Sequence, residues 1–582
     1  MTLLTIICLA AAAAPKHAEL QASPWRVRTY GGYPFIFISY GGPWNDSYQR
    51  AAHEAREQRL LTPTSDDADF AHPAESAATE WAWNVKPEGA TREECHAWLR
   101  EYFDGRRRLR AHSNAPMPDG IPFYTLTGHS WYSPYGARWA GDLIGLEVGE
   151  NIIAMQAQIA FLRGAARQNE LPFYVQMSQW YGGTIPLYEQ GEDEYTPHDL
   201  DEAAVLDGIS KGGIAIPNGG HAPSLLARMW HVAWLSGAAI VCPENCQQNF
   251  FTDTQQENWE KPQDERVPLS PIGGRAQRFM RLVEEHPDIG TPYTPFAVML
   301  DEYAGFNGFP LTQPRPWNVL DPTWEDRQIS LFWEVAFPRS MYLDFLPGVD
   351  EELSDRRLVA SPYGDTFDAL LSDAPSELLT AYPALFLVGP HRFDGDLVAR
   401  LEEYVAAGGK LFATYAHDLP DGLATRYGTP AERLPDPMGT ARWLPPPHWG
   451  ASEETLRSRK QGLTYDPYER EFMSSLRETL EGLVESHLPV NVEGDVEYLV
   501  NRTSEGWLVG LVNSYGVTKG RMTPVSLDAT QTRDVRIALR DGGIRAASEW
   551  VEGDMLRVEN GVVTLTVPPG ETRIVQLTTS PG

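Results

Sequence analysis

Between residues 19 and 350 the chain alternates short apolar runs with amphipathic stretches of helical period. That alternation commits the region to an α/β fold built on parallel strands. The runs Phe35–Tyr40, Glu80–Val85, Phe123–Gly128, Leu143–Val148, Phe173–Ser178, Ala238–Cys242, Phe296–Leu300 and Tyr342–Leu346 read as strands. Helical patterns over Arg92–Leu109, Asn151–Gln168, Pro223–Leu235, Gly273–Glu285 and Arg327–Phe337 fall between many of them. Eight strands in about 330 residues is the complement of a (β/α)₈ barrel.

Three of these runs end in acid: Leu143-Ile144-Gly145-Leu146-Glu147, Ala239-Ile240-Val241-Cys242-Pro243-Glu244 and Ala297-Val298-Met299-Leu300-Asp301-Glu302. A carboxylate at the C-terminal end of a parallel strand is costly to bury unless it is paired or used, and in barrels that edge carries the site. Two facing carboxyl groups are what glycosidic bond hydrolysis needs. Gly145 shares a strand face with Glu147, which leaves room there for a ligand or a packed neighbour. Alternation gives Asp301 the same side as Ala297 and Met299, and Glu302 the other. Glu244 fits equally a catalytic carboxylate, a hydroxyl-binding group or a structural partner. Other strand ends carry Trp44, His129, Trp131, Gln179, Trp180, Tyr181, Asn218, His221 and Asn245. Amide and imidazole groups bind hydroxyls and aromatic rings stack on sugars, so together these residues describe a polar, aromatic-walled cleft.

The pattern then changes twice. Residues 351–433 read as a small doubly wound α/β unit: the apolar strand Ala384–Val388, a helix over Gly395–Ala407 stopped by Gly408-Gly409, and the strand Lys410–Thr414. Residues 434–489 read as a connector that opens rich in Pro and Trp, and 490–582 as an antiparallel β-sandwich of short strands parted by Asp541-Gly542-Gly543, Glu559-Asn560-Gly561 and Pro568-Pro569-Gly570. Residues 1–18, apolar from Leu3 to Ala14, read as a signal peptide, so an exported protein, periplasmic or extracellular, is expected. No other run approaches the length of a membrane span.

Composition excludes more than it selects. The 79 acidic and 48 basic residues give a formal charge of −31, which repels nucleic-acid phosphates. Four cysteines, with Cys242 and Cys246 four apart, make no zinc pattern. No His-Glu-x-x-His, phosphate loop, Cys-x-x-Cys, dinucleotide fingerprint or Gly-x-Ser-x-Gly is present, so neither a cofactor nor a metal is expected.

The order of parts resembles glycoside hydrolase family 42, the β-galactosidases with a trimerisation domain. The resemblance is carried by Tyr382-Pro-Ala-Leu-Phe-Leu-Val-Gly-Pro, by Leu401-Glu-Glu-Tyr-Val-Ala-Ala-Gly-Gly-Lys-Leu, and by the closing Pro568-Pro-Gly-Glu-Thr-Arg-Ile-Val. It implies a barrel, a glutaminase-like middle domain without the thiolate nucleophile, a sandwich, and a homo-oligomer, specifically a trimer. In that family the acid/base Glu follows an Asn; here Leu146 precedes Glu147. The expected function is a retaining glycoside hydrolase acting on an oligo- or polysaccharide. Glu147 would be the acid/base, Asp301 or Glu302 the nucleophile, and Glu244 with the aromatic clusters would hold the sugar. Carboxyl groups about 5–5.5 Å apart would mark retention, and about 6.5–9.5 Å inversion. The alternative is a non-catalytic carbohydrate-binding protein on the same scaffold.

Overall fold

The computed structural model describes residues 36–37, 46–62, 90–108, 124–126, 131–140, 143–148, 155–243, 249–252, 267–308, 316–338, 358–414, 432–434 and 467–579. The signal segment 1–18 and the expected strands Glu80–Val85 and Tyr342–Leu346 lie outside these residues.

Five of the expected barrel strands pair in one parallel sheet. Its spatial order is Ile36–Phe37, Ile240–Pro243, Phe173–Met177, Leu143–Val148, Tyr124–Leu126. The residues Ile144, Leu146, Val148, Phe173, Val175, Met177 and Val241 form one face of it. They share an apolar cluster with Ile159 and Leu162 of the helix Met155–Gln168 and with Leu225 and Trp230 of the helix Pro223–Leu235. Helix starts follow local chemistry. Pro223 sits at the first turn, where its missing N–H costs nothing, and the Ser270 hydroxyl accepts from the Gly273 N–H to open Pro271–Glu285.

The strand Phe296–Leu300 departs from the barrel expectation. It pairs on one side with Phe367–Leu371 and on the other with Ala384–Leu387. Lys410–Thr414 and Glu432–Leu434 extend the sheet, and all pairs are parallel. Numbered along the chain, the order is 2-1-3-4-5, the doubly wound topology with a switch point between its first and third strands. The middle unit therefore begins near residue 296 rather than 351. The reason is physical: Phe296–Leu300 is buried on both faces, so its composition suits any parallel sheet and does not name its neighbours.

The helix Met155–Gln168 lies between the two sheets. Met155, Ile159 and Leu162 face the first; Ala157, Ala160 and Phe161 share a cluster with Phe296, Val298, Phe367 and Ala369 of the second. Gly164 lets the backbones meet, since a Cβ there would stand 2.0 Å from the Ala369 carbonyl oxygen. Buried charge crosses the same contact. Arg163 binds Asp365 at 2.9 Å and Asp368 at 2.7 Å, and Arg167 also binds Asp368.

The C-terminal region holds a small antiparallel sheet pairing Val517–Thr518 with Ser526–Leu527, and two larger antiparallel sheets. One has four strands: Val490–Glu493, Arg533–Leu539, Val562–Val567, Val558–Glu559. The other has six: Met555–Leu556, Ile544–Glu549, Thr572–Thr579, Gly506–Val512, Glu497–Arg502, Thr291–Pro292. Val509, Val535, Val563 and Leu577 join a core that also takes Ala297, Met299 and Leu385 from the doubly wound sheet. The stretch 434–489, expected as a connector, contains the helix Pro467–His487, whose Phe472, Leu476, Leu480 and Leu483 are buried. Among the described residues no helix is long and apolar enough to cross a membrane.

Candidate functional site

The second face of the first sheet differs from its apolar one. Parallel register sets Gly145 beside Tyr174, with Ile240 one strand further, and Glu147 beside Gln176, with Cys242 one strand further. Glu147 therefore points away from the helices, into a row of polar side chains. Tyr174, Gln176 and Cys242 are buried, whereas Glu147 is half-buried at the strand's end. The Gln176 Nε2 has no hydrogen-bond partner among the described residues. The room beside Gly145 is taken by a neighbour, since a Cβ there would stand 2.0 Å from the Tyr174 ring.

Beyond Phe173–Met177 the chain turns into a polar, aromatic lobe. The Ser178 N–H donates to the Val148 carbonyl at 3.0 Å, tying this strand end to that of Glu147. The His221 N–H donates to the Gln179 carbonyl at 3.0 Å, and the His221 and Tyr181 rings lie 5.3 Å apart. Asn218 and Gly220 both hold positive φ, +55° and +65°; Asn and Gly are the residues that accept it. The turn is pinned from the sandwich: buried Lys519 donates from Nζ to the Asn218 carbonyl at 2.5 Å. The structure thus gathers Gln179, Trp180, Tyr181, Asn218 and His221 one strand from Glu147. Sequence reading gave no sign of Lys519, because its site role depends on a contact across the fold.

Trp131 takes a different place. It is 2% exposed, its ring lies 5.0 Å from Phe161 and 5.5 Å from Phe306, and its backbone N–H donates to Asn307 Oδ1. It is core on the far side of Met155–Gln168 and not a sugar platform. Trp44, His129, Glu244 and Asn245 lie outside the described residues.

Asp301 and Glu302 end the first strand of the doubly wound sheet, at its switch point. Asp301 is buried and accepts from the Tyr303 N–H at 2.8 Å and the Arg392 N–H at 3.0 Å. Burial pushes its carboxyl up, against those two backbone donors and the Arg392 charge. Glu302 binds Arg138 at 2.8 Å, and Arg392 stands 3.7 Å away with its guanidinium over the Tyr303 ring. Asp301 closes a loop and Glu302 neutralises an arginine.

The expected pairing of Glu147 with either residue is corrected by the layering. Glu147 faces away from Met155–Gln168, and the doubly wound sheet lies on that helix's opposite side. A helix between two sheets separates them by about 20 Å. Glycosidase carboxyl pairs need at most about 9.5 Å. Among the described residues no group of three or more His, Cys, Asp or Glu side chains is placed to hold a metal ion.

Comparison with protein-family models gave no match, and comparison with curated proteins gave none. Solved structures gave distant likenesses. An α-L-fucosidase isoenzyme from Paenibacillus thiaminolyticus matches at 13% identity and a TM-score of 0.40, over 84% of this chain and 71% of that one. A family 42 β-galactosidase from G. stearothermophilus matches at 11% and 0.40, over 84% and 68%. A family 42 exo-carrageenase from Bacteroides ovatus matches at 8% and 0.33, over 73% and 55%. At these identities and TM-scores the chain's own activity is left to be inferred from its residues.

Proposed function

We propose that the protein is a glycoside hydrolase with its site at the C-terminal edge of the first sheet and Glu147 as acid/base. One observation carries this reading. Glu147 is a half-buried carboxylate on the polar face of a parallel sheet, in register with Gln176 and beside the lobe of Gln179, Trp180, Tyr181, Asn218 and His221. A carboxylate beside buried neutral dipoles is suited to holding and releasing a proton, and aromatic and amide groups suit a sugar.

With Asp301 and Glu302 engaged elsewhere, Glu244 becomes the second carboxylate. It follows Cys242 by two residues in the sequence. Cys242 stands two strands from Glu147, about 9.6 Å across the sheet. Retention remains the proposed course, and NMR of the first-formed anomer decides it.

The test is turnover of aryl glycosides and oligosaccharides by the wild type, Glu147→Gln and Glu244→Gln. Each change should lower kcat by about 10²–10⁴-fold, the usual worth of a positioned acid or base. Unaltered turnover in Glu147→Gln would overturn the assignment. The ion pairing of Asp301 and Glu302 favours a second reading, a carbohydrate-binding protein without turnover. Saturable oligosaccharide binding with no released product would establish it.

A further inference from the structure

A cavity lies on the opposite side of Pro223–Leu235 from Glu147. It measures about 160 Å³ and is enclosed by that helix, by Pro271–Glu285 and by the sandwich around Trp550 and Gly570. Four arginines line it, Arg228, Arg275, Arg278 and Arg281, against two carboxylates, Glu285 and Glu571. The lining side chains alone carry a formal charge of +2, and Glu194 beside Arg275 and Glu552 near Arg278 stand behind them.

The arginines are not equivalent. Arg275 is neutralised by Glu194 and Glu571, each at 3.1 Å. Arg278 and Arg281 follow it at three-residue steps, which keeps them along one side of the helix. Both are exposed at the rim, and neither has an ion-pair or hydrogen-bond partner among the described residues. Burial, and then repulsion from Arg275, pushes the Arg278 guanidinium down from its usual value. Deeper in, His231 is 9% exposed; burial pushes its imidazole down to about 4, against a hydrogen bond with the Ala227 backbone. Arg228 packs over Gly570, where a Cβ would stand 2.8 Å from its Nη1, and Gly570 holds φ +71°. The floor is thus shaped by a position that excludes a side chain.

We propose that this cavity is a binding site for a small tetrahedral oxyanion of the phosphate or sulfate class, free or esterified, held by Arg278 and Arg281. Two neighbouring guanidinium forks at the mouth, without an ion-pair partner among the described residues, match a divalent oxyanion better than a carboxylate. The volume admits such a group with several waters and excludes an oligosaccharide. The site stands apart from Glu147, so its test is independent of glycosidase activity.

The experiment is calorimetric titration of the full chain with inorganic phosphate, with a hexose phosphate and with acetate. It compares the wild type with the Arg278→Ala/Arg281→Ala double variant. Both side chains are exposed, so the variant should melt like the wild type, and circular dichroism checks this. Saturable binding of either phosphate, tighter than of acetate and at least about tenfold weaker in the double variant, is expected. The two phosphate arms distinguish the free ion from a sugar ester. Absence of saturable binding to both, or equal affinity in the folded double variant, would overturn the site.

Discussion

Glu497 shows how far a residue's neighbours can govern its chemistry. It is fully buried, accepts from the Ser361 N–H at 3.0 Å and lies near Asp365. Burial, and then the Asp365 charge, holds its carboxyl protonated well above the usual 4.5. The raised group is protonated in both states below the unfolded value, where its stability contribution is complete. As pH rises from there toward the folded value, the unfolded chain releases the proton first and that contribution is lost. Glu497→Gln keeps the neutral shape without the titration. Its stability relative to wild type should therefore increase from pH 4.5 upward, read by urea denaturation at several pH values. A constant difference across that range would contradict the buried neutral state. None of this is legible in Val496–Val500 as a sequence, where Glu497 reads as an ordinary polar position in an alternating strand. Glu147, by contrast, was legible because its apolar run and strand-end place are local properties.

At the scale of elements, type was legible and partnership was not. The helix Pro223–Leu235 and the strands Lys410–Thr414 and Val562–Val567 lie where periodicity and turn residues put them. Phe367–Leu371 escaped because Asp368 interrupts its apolar run, an acid tolerated only through Arg163 and Arg167 on another element. Ile544–Glu549 escaped because its Arg and Ser give it the look of a loop. The helix Pro467–His487 follows the Pro-rich opening of 434–489, which gave the whole stretch the look of a link. Gly164 measures the same gap between local and tertiary demands. Helix propensity alone favours Gly164→Ala by roughly 1 kcal/mol. The Ala369 carbonyl, 2.0 Å from the added Cβ, reverses the sign. We expect a net loss of about 1–3 kcal/mol in chemical denaturation; a gain would show that helix and sheet separate freely.

For the whole molecule, the sequence told that two kinds of α/β unit precede a sandwich, but not where one ends. Thr291–Pro292 hydrogen-bonds to Asn501–Arg502, and Asn501 Nδ2 also donates to the Ile289 carbonyl across 212 positions. Leu235 fills the space over Gly510, and Lys519 reaches Asn218. A fragment of residues 490–582 should therefore expose an unpaired edge and apolar surface, and aggregate on size exclusion. A monodisperse fragment with a cooperative melt would contradict that dependence.

The borrowed edge strand also sets an order of events in the cell. Thr291 and Pro292 leave the ribosome long before Asn501, so the first sheet can form during synthesis while the sandwich's outermost strand waits without its partner. Completion of that sheet is then a late, chain-closing step. A translational pause or truncation between the two segments would leave a folded front half displaying a lone strand, a natural handle for a chaperone.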